Sequence, residues 1–84
     1  MENRGSLTKV CAYVLINVKV GKSAAVTEAV KQLGVVESAH TVTGIYDVVA
    51  VLNVQGLKEL GSVVAEKIHN IDGVSSTVTC IVVD

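Results

Sequence analysis

Apolar positions recur along this chain with two different periods. Val26, Ala29, Val30 and Leu33 stand at i, i+3, i+4 and i+7 within Lys22 to Leu33, with Thr27, Glu28, Lys31 and Gln32 elsewhere, the pattern of a one-sided helix. Gly34 is predicted to end it as a left-handed cap. A second stripe, Leu57, Leu60, Val64, Ile68 and Ile71, predicts a helix over Leu57 to Ile71 that stops at Asp72-Gly73. Four other stretches, Ala12 to Val20, Ser38 to Thr43, Tyr46 to Val54 and Val78 to Val83, are dominated by β-branched residues and lack helical stripes, so they read as strands.

The order is strand, helix, strand, repeated. Leu15-Ile16-Asn17-Val18 matches Val51-Leu52-Asn53-Val54, and Gly34-Val35 matches Gly73-Val74. A duplicated strand-helix-strand unit predicts an α+β, ferredoxin-like βαββαβ fold, with a four-stranded antiparallel sheet and both helices on one face.

Alternation then assigns the faces. Ala12, Val14, Ile16, Val18 and Val20 form a purely apolar set expected beneath the helices, with Val48, Ala50, Leu52 and Val54 from the third strand. The opposite face receives Tyr13, Leu15, Asp47, Val49 and Val51. Carrying the register through the repeat adds Ser38, His40, Val42, Thr77, Thr79, Ile81 and Val83 to it. So large an apolar surface is rarely left wet. Burying about 500 Å² is worth roughly 12 kcal/mol before association entropy and polar desolvation are subtracted. The expectation is a dimer packed sheet against sheet, with Tyr13, Leu15, His40, Val42, Val49, Val51, Ile81 and Val83 at the interface.

Composition narrows the function classes. The chain has 84 residues, 50% hydrophobic, with 19 valines and no proline, phenylalanine or tryptophan. That is one small domain, residues 9–84, after a polar, flexible tail over residues 1–8. Seven basic against eight acidic residues, dispersed along the chain, give no footprint for direct nucleic-acid binding. The longest apolar run is broken by Asn17 and Lys19, short of a membrane span, and two cysteines are too few for a stapled secreted domain. A cytoplasmic setting is expected. Cys11 and Cys80 are assigned to opposite faces and therefore read as unbonded small fillers.

Candidate chemistry is sparse. Gly21-Lys22-Ser23 lacks the upstream glycine of a phosphate loop, where Ile16 stands inside a strand, and reads as a turn opening the first helix. His69 falls in the last turn of the second helix, where it meets the helix dipole. His40 falls on the dimer face, with interface packing and a ligand or catalytic role both open. No catalytic set, metal-ligand cluster or cofactor loop is present, so no catalytic residue, metal or cofactor is assigned. The informative segment is Thr41-Val42-Thr43-Gly44-Ile45-Tyr46-Asp47. Gly44 suits a tight turn, and Asp47 can accept hydrogen bonds from turn amides or hold a ligand ammonium group.

The Gly44-Ile45-Tyr46-Asp47 hairpin, between a strand-helix unit beginning Val14-Leu15-Ile16-Asn17-Val18 and a later Ile71-Asp72-Gly73-Val74 with its Thr-rich final strand, resembles the Lrp/AsnC effector-binding domain, also called the RAM domain. The likeness covers Lys9 to Val83. One departure is Val20-Gly21, which lacks the proline the family often carries there. Only eight residues precede the domain here, where the full-length regulators carry a DNA reader, so the chain is similar to the stand-alone members. The resemblance implies sheet-paired dimers, a ring such as an octamer or decamer, and an amino-acid effector held in crevices between dimers. A DNA-binding paralogue is an implied partner. By the same resemblance Gly44, Ile45, Tyr46 and Asp47 would line the ligand site, with Ser76, Thr77 and Thr79 reaching it from the last strand.

Two other readings stand beside this one. A ring-forming scaffold without a ligand would consume the Asp47 carboxylate in its own hydrogen bonds. A small dimeric α+β barrel enzyme would need a cavity beside His40. An ACT domain is the nearest architecture, and the Gly-x-Tyr-Asp hairpin favours RAM.

Overall fold

The computed structural model describes residues 9–84, so the expectations for Met1–Thr8 lie outside the described residues. The elements are β1 (Val10–Val18), α1 (Ser23–Lys31), β2 (Val36–Thr41), β3 (Val48–Val54), α2 (Leu57–Ser62) and β4 (Val74–Ile81), with α2 continuing as a π-helical turn over Val63–Ile68. All strand pairs are antiparallel, in the order β2-β3-β1-β4. This is the expected ferredoxin-like α+β arrangement.

The period-2 pattern of the two central strands decides what lies under the helices. Three rows cross the sheet on that side: Val36–Leu52–Ala12–Ile81, Ala39–Ala50–Val14–Thr79 and Thr41–Val48–Ile16–Thr77. Ala12, Val14, Ile16, Val48, Ala50 and Leu52 are fully buried, and Val26, Val30, Leu60, Val63 and Ile68 of the helical segments close over them. Transfer of these side chains from water is the main stabilising term.

Several sequence expectations are corrected at this level. Val20 is fully exposed, because β1 ends at Val18 and the chain turns through Gly21, with φ of 82°. Thr27, assigned to the polar side of α1, is buried; its Oγ1 donates to the Ser23 carbonyl at 2.9 Å and lies 2.7 Å from Thr41 Oγ1. A hydroxyl can enter the core when both of its bonding capacities are used locally. In the second helix Leu57 is 62% exposed, while Val63, outside the predicted stripe, is buried. Val63 stands one turn after the buried Leu60 and shares its side, and the π-helical turn that follows, where the His69 N–H donates to the Val64 carbonyl, brings Ile68 to that side five residues after Val63; Leu57 stands in the first turn.

The largest correction concerns β4. It begins at Val74, not Val78, and a bulge at Ser75 reverses its alternation: Val18 pairs with Val74, and Asn17 pairs with Ser76. Thr77, Thr79 and Ile81 therefore lie on the helix side, opposite Ile16, Val14 and Ala12. Val78 and Cys80 take the open side, and Val83 lies beyond the strand. Cys11 and Cys80 consequently share one face.

Gly34 and Gly73, equivalent in the repeat, differ in their demands. Gly73 has φ of 99°, and a Cβ there would stand 2.8 Å from Lys22 Cβ and 2.9 Å from Lys22 Cγ. Gly34 has no left-handed backbone and open space around its missing Cβ, so the predicted cap is absent there. Gly73→Ala is expected to lower stability by about 1–3 kcal/mol through backbone strain and displacement of Lys22. Gly34→Ala should stay within about 0.5 kcal/mol of wild type. Urea unfolding of the two variants checks the contrast; equal effects would contradict it.

Candidate ligand-binding site

The β2–β3 hairpin is anchored by Asp47. Its backbone N–H donates to the Ile16 carbonyl at 2.9 Å, and its carbonyl accepts from the Val42 N–H at 2.9 Å. Its carboxylate Oδ2 accepts from the Val18 N–H at 2.8 Å. The side chain thus stands in for a strand carbonyl and carries the β1–β3 ladder past the end of β3. This is a charge-assisted hydrogen bond at a half-buried position. Val42 lies just beyond β2 and closes the hairpin with Asp47.

Around this joint, Ile45 is 86% exposed at the hairpin tip, and Tyr46 is half-buried. Gly44 has φ of 159° and open space where a Cβ would be. On the far side of β1, Ser76 pairs with Asn17. Asp47 and Ser76 therefore flank the last residues of β1, one from each neighbouring strand, at the hairpin end of the sheet. Thr77 and Thr79 do not join them. The β4 bulge sends both to the helix side, where Thr77 Oγ1 lies 2.8 Å from His69 Nε2 and Thr79 borders α2. The seven proposed ligand residues divide accordingly: the hairpin and Ser76 at one end of the sheet, the two threonines beneath the second helix.

A cleft of about 390 Å³, which the sequence reading does not find, opens between α2, its π-helical extension and β4. Leu57, Leu60, Val64, His69, Thr79 and Ile81 line it. Its signal is the excess of apolar residues on the second stripe, which points nowhere as long as Ile81 is assigned to the other face.

The open face carries two rows across all four strands, His40–Val49–Leu15–Val78 and Ser38–Val51–Tyr13–Cys80. Tyr13 is 45% and Val78 43% exposed, and Leu15, Val49 and Val51 are only partly buried. Both helical segments lie on the other side. Of the residues assigned to a dimer interface, Ile81 is on the helix face and Val83 lies outside the sheet, while Val78 and Cys80 belong to the open surface. Among the described residues no group of three or more His, Cys, Asp or Glu side chains converges, and no helix is long and apolar enough to cross a membrane.

Residues 11–84 match the Lrp/AsnC ligand binding domain. The chain belongs to this family. Its fold is shared with solved structures of similar size. The protein TTHA0845 of Thermus thermophilus is 33% identical, with a TM-score of 0.85 over 89% of this chain and 94% of that one. FFRP-DM1 is 30% identical, with a TM-score of 0.84 over 88% of this chain and 99% of that one. The transcriptional regulator NMB0573 of Neisseria meningitidis, solved with L-Met, shares the fold at 16% identity, with a TM-score of 0.83; all of this chain aligns, to 56% of that one. No curated protein matches the chain.

The Lrp/AsnC family domain is thus built here around an aspartate that is first of all a structural joint. Asp47→Ala is expected to destabilise the fold by about 1–3 kcal/mol and to speed hydrogen exchange at the Val18 amide. Asp47→Asn, which keeps an acceptor oxygen, should lose less. Urea unfolding and amide exchange measure both. An unchanged Val18 amide in Asp47→Ala would contradict this role.

Proposed function

We propose that this chain is a regulatory amino-acid-binding and oligomerisation domain, in which ligand occupancy is coupled to assembly state. The family match over residues 11–84 is the observation that carries this reading. Two small relatives aligned over 94% and 99% of their own lengths support a domain that works without a DNA reader in the same unit. Contact with DNA would then come through an Lrp/AsnC relative. The ligand class follows from the family and from the L-Met held by the Neisseria meningitidis regulator.

The mechanism begins at the open sheet face. Two chains mate through Tyr13, Leu15, Val49, Val51 and Val78, giving a dimer, and dimers join into a closed ring. An amino acid bound in a crevice between dimers, with the Gly44–Asp47 hairpin as part of its wall, favours one assembly by its differential affinity. The turn amides near Gly44 suit the carboxylate, Tyr46 packs against the side chain, and the oxygen of Asp47 that does not hold Val18 faces the ammonium group. This is binding chemistry, with no reaction assigned.

A second reading is favoured by one observation: Asp47 Oδ2 is already committed to the Val18 N–H, as a ligand-free scaffold would have it. Isothermal titration with the twenty amino acids, read together with light scattering, separates the two. The regulatory reading expects heat and a change of particle mass with at least one amino acid. No heat from any of them, at constant mass, leaves the scaffold.

The assembly itself has its own variant. Leu15→Asp puts a carboxylate in the middle of the open face while the helix-side core is untouched. It is expected to reduce the particle to a folded monomer by sedimentation equilibrium. A wild-type mass for this variant would contradict mating through this face.

A further inference from the structure

The two outer strands of the sheet differ in how their free edges are guarded. β2 is short, carries Glu37 and His40, and is bulged between Val36 and Ser38, all devices that keep an edge from pairing. β4 has its bulge at the start, and from Ser76 to Ile81 it holds no charged residue and no proline. Successive residues of a strand aim their backbone groups to opposite sides. The Val82 N–H donates to the Cys11 carbonyl, and Cys80 and Val78 pair with Tyr13 and Leu15, so this set points to β1. Thr77, Thr79 and Ile81 therefore turn their N–H and C=O groups outward, at the edge of the sheet.

The cleft between α2 and β4 stands over the same edge. Among the described residues β4 is the one strand that lines it, through Thr79 and Ile81, and Leu57 and Ile81 beside it are 62% and 44% exposed. A further strand hydrogen-bonded to β4 would run about 4.8 Å away and send its own helix-side side chains into the cleft. One added strand thus satisfies both the outward backbone groups and the apolar lining.

We infer that this strand is β4 of a second copy, paired antiparallel about a two-fold axis. Such a self-pair sets Thr77, Thr79 and Ile81 of each chain against the same set of the other, and an uncharged strand meets its own copy without like-charge repulsion. The two sheets become one, with the helical segments together on one side and the open faces continuous on the other. Neither the edge nor the cleft belongs to the open face, so the edge pair joins dimers already mated through that face. In joining dimers the inference rests on the mating proposed above; the edge pair itself does not. A strand-edge contact is small beside the roughly 800 Å² per partner of a standard interface, so it holds between dimers, where closure of a ring makes each contact intramolecular.

The test combines sedimentation equilibrium with amide hydrogen exchange on the full chain and on Thr79→Pro, Ile81→Lys and Leu15→Asp, with circular dichroism to check that each is folded. Thr79→Pro removes an outward N–H and spares the ladder to β1. Ile81→Lys brings a charge to the cleft. Wild type is expected to be heavier than a dimer, and both β4 variants to stop at the dimer, with the Thr77 amide exchanging at least about 100-fold faster than in wild type. Wild-type mass and a wild-type Thr77 amide in both folded β4 variants overturn the edge pair. Loss of the larger particle in Leu15→Asp alone also overturns it and leaves the sheet mating in place. A Leu15→Asp particle of wild-type mass that both β4 substitutions still break overturns the mating and supports the edge pair.

Discussion

The one-sided covering of the sheet is the constraint from which the rest follows. Alternation in β1 and β3 places Ala12, Val14, Ile16, Val48, Ala50 and Leu52 under the helical segments, where they are fully buried. The same alternation obliges Tyr13, Leu15, Val49 and Val51 to face the other way, and a one-residue shift of either strand would exchange the two sets. A single chain of this fold cannot hide both. Its stability and the association proposed for it therefore have a common origin in the pleat of the two central strands.

In the function proposed, assembly and ligand response are linked through the same sheet at its hairpin end. Asp47 ties the β2–β3 hairpin to β1 through its N–H, its carbonyl and its carboxylate. A group that braces the hairpin in this way also fixes the direction in which Gly44 and Ile45 project. On that proposal, a ligand contacting the tip would act against a stiff frame, and its binding energy would go into favouring one arrangement of subunits rather than into ordering a loose loop.

Most of the architecture is legible in the sequence because the central strands alternate without interruption and the landmarks of the repeat recur in order. What is not legible depends on one-residue departures from ideal periods. The bulge at Ser75 reverses the alternation of β4, and no residue type in Val74-Ser75-Ser76 marks it, so periodicity alone puts Thr77, Thr79 and Ile81 on the wrong face. The π-helical turn over Val63–Ile68 sets the buried Val63 and Ile68 five residues apart, a spacing that a 3.6-residue stripe does not anticipate. Gly34 and Gly73 look equivalent in the chain, but only Gly73 meets a close neighbour, the Lys22 side chain. Of the candidate site, the Gly44–Asp47 hairpin can be read from its residues. The carboxylate bond to Val18 cannot, because its partner is 29 positions away.

The account stands most directly on whether the open face is covered in solution. A soluble paramagnetic agent, with relaxation read at the Tyr13 ring and at the Val49 and Val78 methyl groups, measures this at the protein's working concentration. Coverage by a second chain predicts that these groups are protected, while the exposed Ile45 at the hairpin tip relaxes strongly. Relaxation of Tyr13 and Val78 at the level expected for side chains more than two-fifths exposed, as in the single chain, would contradict it.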